Sequence, residues 1–216
     1  MKYVVVCCTA LMVFSASAQA GVGFGVQGNV INFNLGYVAT PTNVSLGNFT
    51  GDIKDIYGIG FGGGIHFDVK MPILSFRVSG DYVTLSPDKG KYTNLVRPFL
   101  GAAASALNID GGKIDIYSVN ANLKLTILPL PVVSIYGTGG AGYVRVVVAD
   151  ANVTFNGLPL TTLKVEAQNK PSVNAGAGVD LSLGGLTLFG ELKVTWIFSD
   201  PKTSTAIPYG TVGLTF

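Results

Sequence analysis

Residues 56–70 read "IYGIGFGGGIHFDVK", and the fold is decided by what this stretch turns towards and away from. From Tyr57 to Val69 the odd positions are Tyr, Ile, Phe, Gly, Ile, Phe and Val. The even positions from Gly58 to Lys70 are four glycines followed by His66, Asp68 and Lys70. A period of two marks a strand with one apolar face. A soluble sheet would put its charges on a solvated outside and would gain nothing from four glycines there. The pattern needs a setting in which the polar face is the crowded one.

The whole chain narrows the choice. Of its 216 residues only 12% are charged, against roughly 25% in soluble domains. Residues 1–20 read as a secretory signal peptide, with Lys2 as the positive start, Val4–Phe14 as the apolar stretch and Ala18-Gln19-Ala20 as the small-x-small cleavage site. The expected organisation is therefore a signal peptide, 1–20, and one domain, 21–216. Both cysteines, Cys7 and Cys8, fall in the leader, so the exported domain is expected to lack disulfides and thiolate metal sites; no cofactor is expected either. With Lys2 removed, the positive and negative side chains nearly balance, and no basic patch invites nucleic acid.

After residue 20 no apolar run reaches the roughly 20 residues of a membrane-spanning helix. An apolar, exported chain without such a helix has one other way to satisfy its backbone in lipid, the closed β-barrel. Four segments alternate clearly: 74–84, 117–127, 171–183 and 186–198. Four more are less uniform: 22–35, the opening stretch, 133–149 and 206–216. The expected fold is an all-β, eight-stranded antiparallel transmembrane β-barrel. Segment 22–35 changes phase between Val26 and Ile31, which predicts a β-bulge near Gly28-Asn29. In 133–149 the run "GTGGAG" removes the phase signal, and Arg145 is read as facing inward. Short connections fall at 71–74, 129–132 and 184–185, long ones at 37–55, 86–113, 150–169 and 199–206. That alternation fits short periplasmic turns and longer extracellular loops. In the second long loop, Tyr92–Leu107 has apolar spacing that suits a short helix or hydrophobic plug, the plainer expectation being a loop over the mouth.

With this pattern in place, the sequence resembles the small Gram-negative outer-membrane β-barrel proteins, the group similar to OmpA, OmpX and OmpW. The resemblance rests on the leader, the eight dyad-repeat strands with tight Pro- or Gly-containing turns, and the ending "PYGTVGLTF". That ending, with Phe216 last and Leu214, Val212 and Tyr209 upstream, looks like the terminal-aromatic signal read by the barrel assembly machinery. The resemblance implies an outer-membrane location among phospholipid and lipopolysaccharide, and a monomer.

If lipid meets the apolar face, the glycines and charges of the opening stretch line the lumen. An eight-stranded barrel is only just wide enough to be filled by its own side chains, so glycine is needed wherever a neighbour is large. The inward charges by phase are Lys70, Arg77, Lys124 and Lys193 against Asp68, Asp81, Asp180 and Glu191, accompanied by polar His66, Ser79, Asn120 and Asn122. Charges so enclosed must be paired. A turn at 71–74 that sets Lys70 against Ser75 places Asp68 opposite Arg77 and His66 opposite Ser79. Tyr57, Tyr82, Tyr117, Trp196 and Phe198 fall near the loop ends of strands, as in an interfacial girdle.

Other motifs lead nowhere. Residues 137–142, "GTGGAG", match a dinucleotide fingerprint letter for letter, but "YVRVVV" follows where a helix N-terminus is required; the glycines read as room for bulky neighbours. His66, Asp68 and Ser79 suggest a hydrolase triad, yet they point into a lumen while acyl chains lie outside it. The expected role is therefore non-catalytic, in envelope structure or in surface interaction through extracellular loops that meet a ligand. The rival roles are a narrow conduit for small polar or hydrophobic molecules, and a lipid-modifying enzyme.

Overall fold

The computed structural model describes residues 21–32, 37–38, 44–46, 49–51, 57–71, 73–88, 90–91, 106–163, 167–200 and 203–216. The leader and most of the 92–107 segment lie outside them. Eight long strands make the wall: β1 (Gly21–Asn32), β2 (Ile59–Lys70), β3 (Leu74–Leu85), β4 (Ile114–Pro129), β5 (Val133–Val148), β6 (Gln168–Leu183), β7 (Leu186–Asp200) and β8 (Thr203–Thr215). Each pairs antiparallel with its sequence neighbour, and β1 pairs with β8 to close the barrel. Phe216 sits at the seam, its N–H donating to the Phe24 carbonyl at 2.8 Å and its carbonyl accepting from the Phe24 N–H at 3.2 Å. Closure removes the open edges that lipid would not tolerate.

The outer wall is apolar. Val22, Phe24, Phe61, Ile65, Val119, Leu123, Leu192 and Val212 all project outward, Leu192 being 74% exposed. Inside, the alternation in β7 is complete from Thr187 to Ile197, odd positions buried and even ones turned out. At one end the connections are tight. Gly184 and Gly185 both have positive φ, 60° and 102°, as a type I′ hairpin turn demands, and the Leu130 N–H donates to the Val133 carbonyl at 3.1 Å.

The opposite end carries extra strands. Residues Ala151–Phe155 and Leu158–Leu163 form a hairpin turned by Asn156 and Gly157, both at positive φ, and Leu107–Gly111 pairs along its other edge. The second and third long loops are thereby stitched into one three-stranded sheet above the rim. A small hairpin, Val44–Leu46 with Phe49–Gly51, belongs to the first loop, and Tyr37–Val38 adds to the upper end of β8.

Three expectations need correction. Strand β1 has no bulge: it pairs with β2 from Gly21 to Asn32 and with β8 from Gly25 to Ile31 without a register shift, so Ile31 is an inward residue. The change of phase in the sequence comes from the lumen turning apolar at that height. Arg145 is exposed and outward, opposite Tyr117 on β4, while Val144 is the buried neighbour. The loop expected at 199–206 is a hairpin in which Asp200 pairs with Thr203.

Candidate functional site: the barrel lumen

The inward residues stack in two tiers. The lower one, towards the tight turns, is ionic. Arg77 clamps Asp68 with both ends of its guanidinium, Nε to Oδ1 at 2.6 Å and Nη2 to Oδ2 at 2.7 Å, from directly opposite positions on β2 and β3. Lys124 donates to Asp180 at 3.2 Å across the barrel floor, and Lys193 lies 3.7 Å from Glu191. Planar, bidentate pairing of the Arg77–Asp68 kind suits arginine and a carboxylate held on neighbouring strands.

Two charges stand outside these pairs. Lys70 donates to the Thr187 hydroxyl at 3.0 Å at the turn-side mouth, beside a cavity of about 260 Å³ also lined by Ser75, Lys124, Ser134 and Asp180. Asp81 is held by neutral donors alone among the described residues: Gln27, Asn29 at 2.7 Å, Ser79 at 3.1 Å and Asn120 at 3.5 Å. Several hydrogen bonds to one carboxylate replace the water it has lost.

At the centre of this tier is Phe189, 1% exposed. Arg77 lies 4.1 Å over its ring and Lys124 5.8 Å, and His66 meets it edge-on at 5.2 Å. Tyr136 is the second buried ring; Lys124 lies 3.9 Å over it, and its hydroxyl donates to Glu191 at 3.1 Å. Each ring fits because its directly paired neighbour is glycine. A Cβ on Gly213 would come within 2.6 Å of Phe189, and one on Gly178 within 2.4 Å of Tyr136. The same rule explains the opening stretch, where Gly64 stands opposite Asp81 and Gly62 opposite Val83. In "GTGGAG" it holds for half the run, Gly140 and Gly142 lying under Asn122 and Asn120 while Gly137 and Gly139 face out.

The upper tier is a plug of hydrocarbon. Ile31, Tyr57, Val83, Leu85, Ile114, Ile116, Val144, Ile197, Ile207 and Tyr209 form one buried cluster, with Val146 and Val148 packed against it. Tyr57 belongs here, which corrects its assignment to the girdle. The regular strand begins only at Ile59, and Tyr57 makes a lone bridge to Pro87 and donates its hydroxyl to the Gly112 carbonyl. Tyr209 is likewise inward, with Lys193 5.7 Å from its ring. Tyr82, Tyr117 and Phe198 are on the outer face and Trp196 is half-buried there; the rings of Tyr82 and Tyr117 are 5.1 Å apart. On the rim, Lys113 lies 3.4 Å from Asp115, whose hydrogen bond and charge raise the lysine pKa.

No triad assembles. His66 shares its Nε2 hydrogen bond with the Thr215 hydroxyl at 2.8 Å, Ser79 donates to Asp81, and Asp68 is occupied by Arg77. Among the described residues no group of histidine, cysteine and carboxylate side chains is placed to hold a metal.

Sequence reasoning missed the apolar plug and the two rings. Phe189 carried a signal, an aromatic on the polar phase of β7. Tyr136 carried none, because glycines follow it.

A family model described as "Outer membrane protein beta-barrel domain" matches residues 6–216. No curated protein matches the chain. Among solved structures the barrel is similar to Ail, the attachment invasion locus protein of Yersinia pestis, at 14% identity over 91% of this chain and 99% of that one, with a TM-score of 0.46. It is similar also to Neisserial surface protein A, at 15% identity, 91% and 99% coverage and a TM-score of 0.47. A third likeness is to a major outer membrane protein of Thermus thermophilus, at 14% identity, 91% and 100% coverage and a TM-score of 0.49.

Proposed function

Because this chain belongs to the outer membrane protein β-barrel domain family, we propose that it is a non-catalytic barrel with a closed lumen, acting in envelope structure or surface interaction through its extracellular loops. The observation that carries this reading is the apolar cluster lying above the paired charges. A hydrated ion would have to shed its water among isoleucines and valines to pass, at a prohibitive cost. Six of the eight inward charges are paired with one another, and Lys70 and Asp81 are held by neutral groups, which suits a structural role better than a conducting one. The three-stranded sheet over the rim supports the outward-facing half of the proposal, since a binding surface built on paired strands is better ordered than a loop. Lipopolysaccharide and phospholipid around the wall, the barrel assembly machinery during biogenesis and an extracellular ligand at the loops are the partners of this reading.

Planar-bilayer recording tests it. The proposal expects a silent protein whose loops still bind a surface ligand. A resolved unitary current, lost when Arg77, Lys124 and Lys193 are neutralised, would replace it with the transport reading. An unchanged lipid A mass spectrum in expressing cells is expected, and a gained or lost acyl chain would make the protein an enzyme.

A further inference from the structure

On the wall formed by β4, β5 and β6, buried polar atoms lack partners among the described residues. They are Asn122 Oδ1, Thr138 Oγ1, Ser172 Oγ, and both Oδ1 and Nδ2 of Asn174. All four residues are more than nine-tenths buried. The strand register gathers them: Asn122 and Asn174 flank Gly140 from its two sides, and Asn120 and Ser172 flank Gly142 in the same way. Asn122 leans over the glycine, its Oδ1 2.1 Å from where a Gly140 Cβ would stand. Strands β4 and β6 are two spacings apart, about 9–10 Å, so the facing side chains point at each other across the missing side chain of β5. The adjoining wall of β1 to β3 differs: around Asp81 the polar groups bond directly to one another, reaching Asn120 on the edge of β4, and the unpartnered atoms there, on Gln27, His66 and Thr84, do not flank a common glycine.

We infer that the glycine strip at 140 and 142 carries a file of bound water molecules that joins Thr138, Asn122, Asn174 and Ser172 and is entered from the turn-side mouth. Water is the ligand class that fits. The groups are neutral, they include donors and acceptors, and a buried water makes two to four hydrogen bonds to such atoms. The neighbouring charges, Lys124, Arg77 (opposite Asn122) and Lys193, are already paired with Asp180, Asp68 and Glu191, so neither a cation nor an anion is called for. Lys124 and Ser134 line the mouth cavity, and Lys124 is the cross-strand neighbour of Thr138, so the file starts where bulk water ends. It stops under Val144 and Ile197, the latter paired with Ser172. The file is thus a blind inlet, and it stands whether or not the plug above holds against ions.

Water-edited NMR on the protein in bilayer nanodiscs tests the site. The side-chain amide of Asn174 is expected to show cross-peaks to long-lived water, and Ser172→Ala, which removes a neighbouring partner of the file and keeps the probe, to weaken them. An amide that shows no water contact and couples through a direct hydrogen bond to a protein acceptor would overturn the inference. The entry route is tested with Thr138→Cys in residues 21–216, which contain no other cysteine, using silver ion in oriented proteoliposomes. Reaction at least tenfold faster from the periplasmic side is expected; equal rates, faster reaction from outside or no reaction from either side would overturn it.

Discussion

The two halves of the lumen solve the same problem with opposite chemistry. Towards the turns, Asp68, Arg77, Lys124, Asp180 and Glu191 fill the barrel with charge, and each side chain has a definite partner. Towards the loops, Ile31, Leu85, Ile116, Val144 and Ile207 fill it with hydrocarbon. Apart from the cavity at the turn-side mouth, both halves are filled by side chains. The ionic half gains specificity, since a wrong neighbour leaves a charge unpaired; the apolar half tolerates substitution and excludes water. A barrel of eight strands thus needs its inside full, and it does not need its inside polar.

The tiers are expected to answer mutation differently. Breaking the buried pair should have the largest effect: Asp68→Ala or Arg77→Ala alone is expected to cost about 4 kcal/mol, because the partner is left buried and uncompensated. The double variant should cost clearly less than the sum in urea unfolding from lipid vesicles, and strict additivity would show the two residues to be uncoupled. In the upper tier, Ile116→Ala should cost about 3 kcal/mol through its cavity. Combined with Asp68→Ala it should add simply, and strong coupling would erase the distinction between tiers. Gly178→Ala, which drives a methyl group into Tyr136, is expected to cost about 2 kcal/mol as overpacking, read as a lowered midpoint of heat-dependent gel mobility. The smallest effect is expected for Phe189→Leu, which keeps an apolar filler but removes the ring under Arg77. The lost cation–π contact should cost about 1 kcal/mol, and its absence would reduce Phe189 to a space filler.

The same contrast explains what could be read from the letters. In the lower tier charges alternate with apolar residues, so β2, β3, β4 and β7 announce their phase. A turn of fixed length between β2 and β3 then sets which residues face each other. In the upper tier both faces are apolar and the dyad disappears. For that reason Ile31 suggested a bulge that does not exist, and "YVRVVV" concealed that Val144, not Arg145, points inward. Tyr57 misled for a different cause: it precedes the regular strand, and alternation holds only while the backbone stays paired. The hairpin at Asn156-Gly157 carried a signal that the reading of 150–169 as a plain loop passed over, since that dipeptide between apolar residues is a strong turn signal, but its pairing with Leu107–Gly111 joins residues 40 to 48 positions apart in sequence, and no local pattern encodes it.

The arrangement of faces is tested most directly by a nitroxide scan of β7, one cysteine at a time from Thr187 to Ile197, in reconstituted bilayers. Collision with oxygen, which concentrates in lipid, should be high at Leu188, Leu192 and Val194. It should be low at Phe189, Glu191, Lys193, Thr195 and Ile197, through the ionic and apolar tiers alike. Loss of the two-residue period, or oxygen access at the odd positions, would contradict the account.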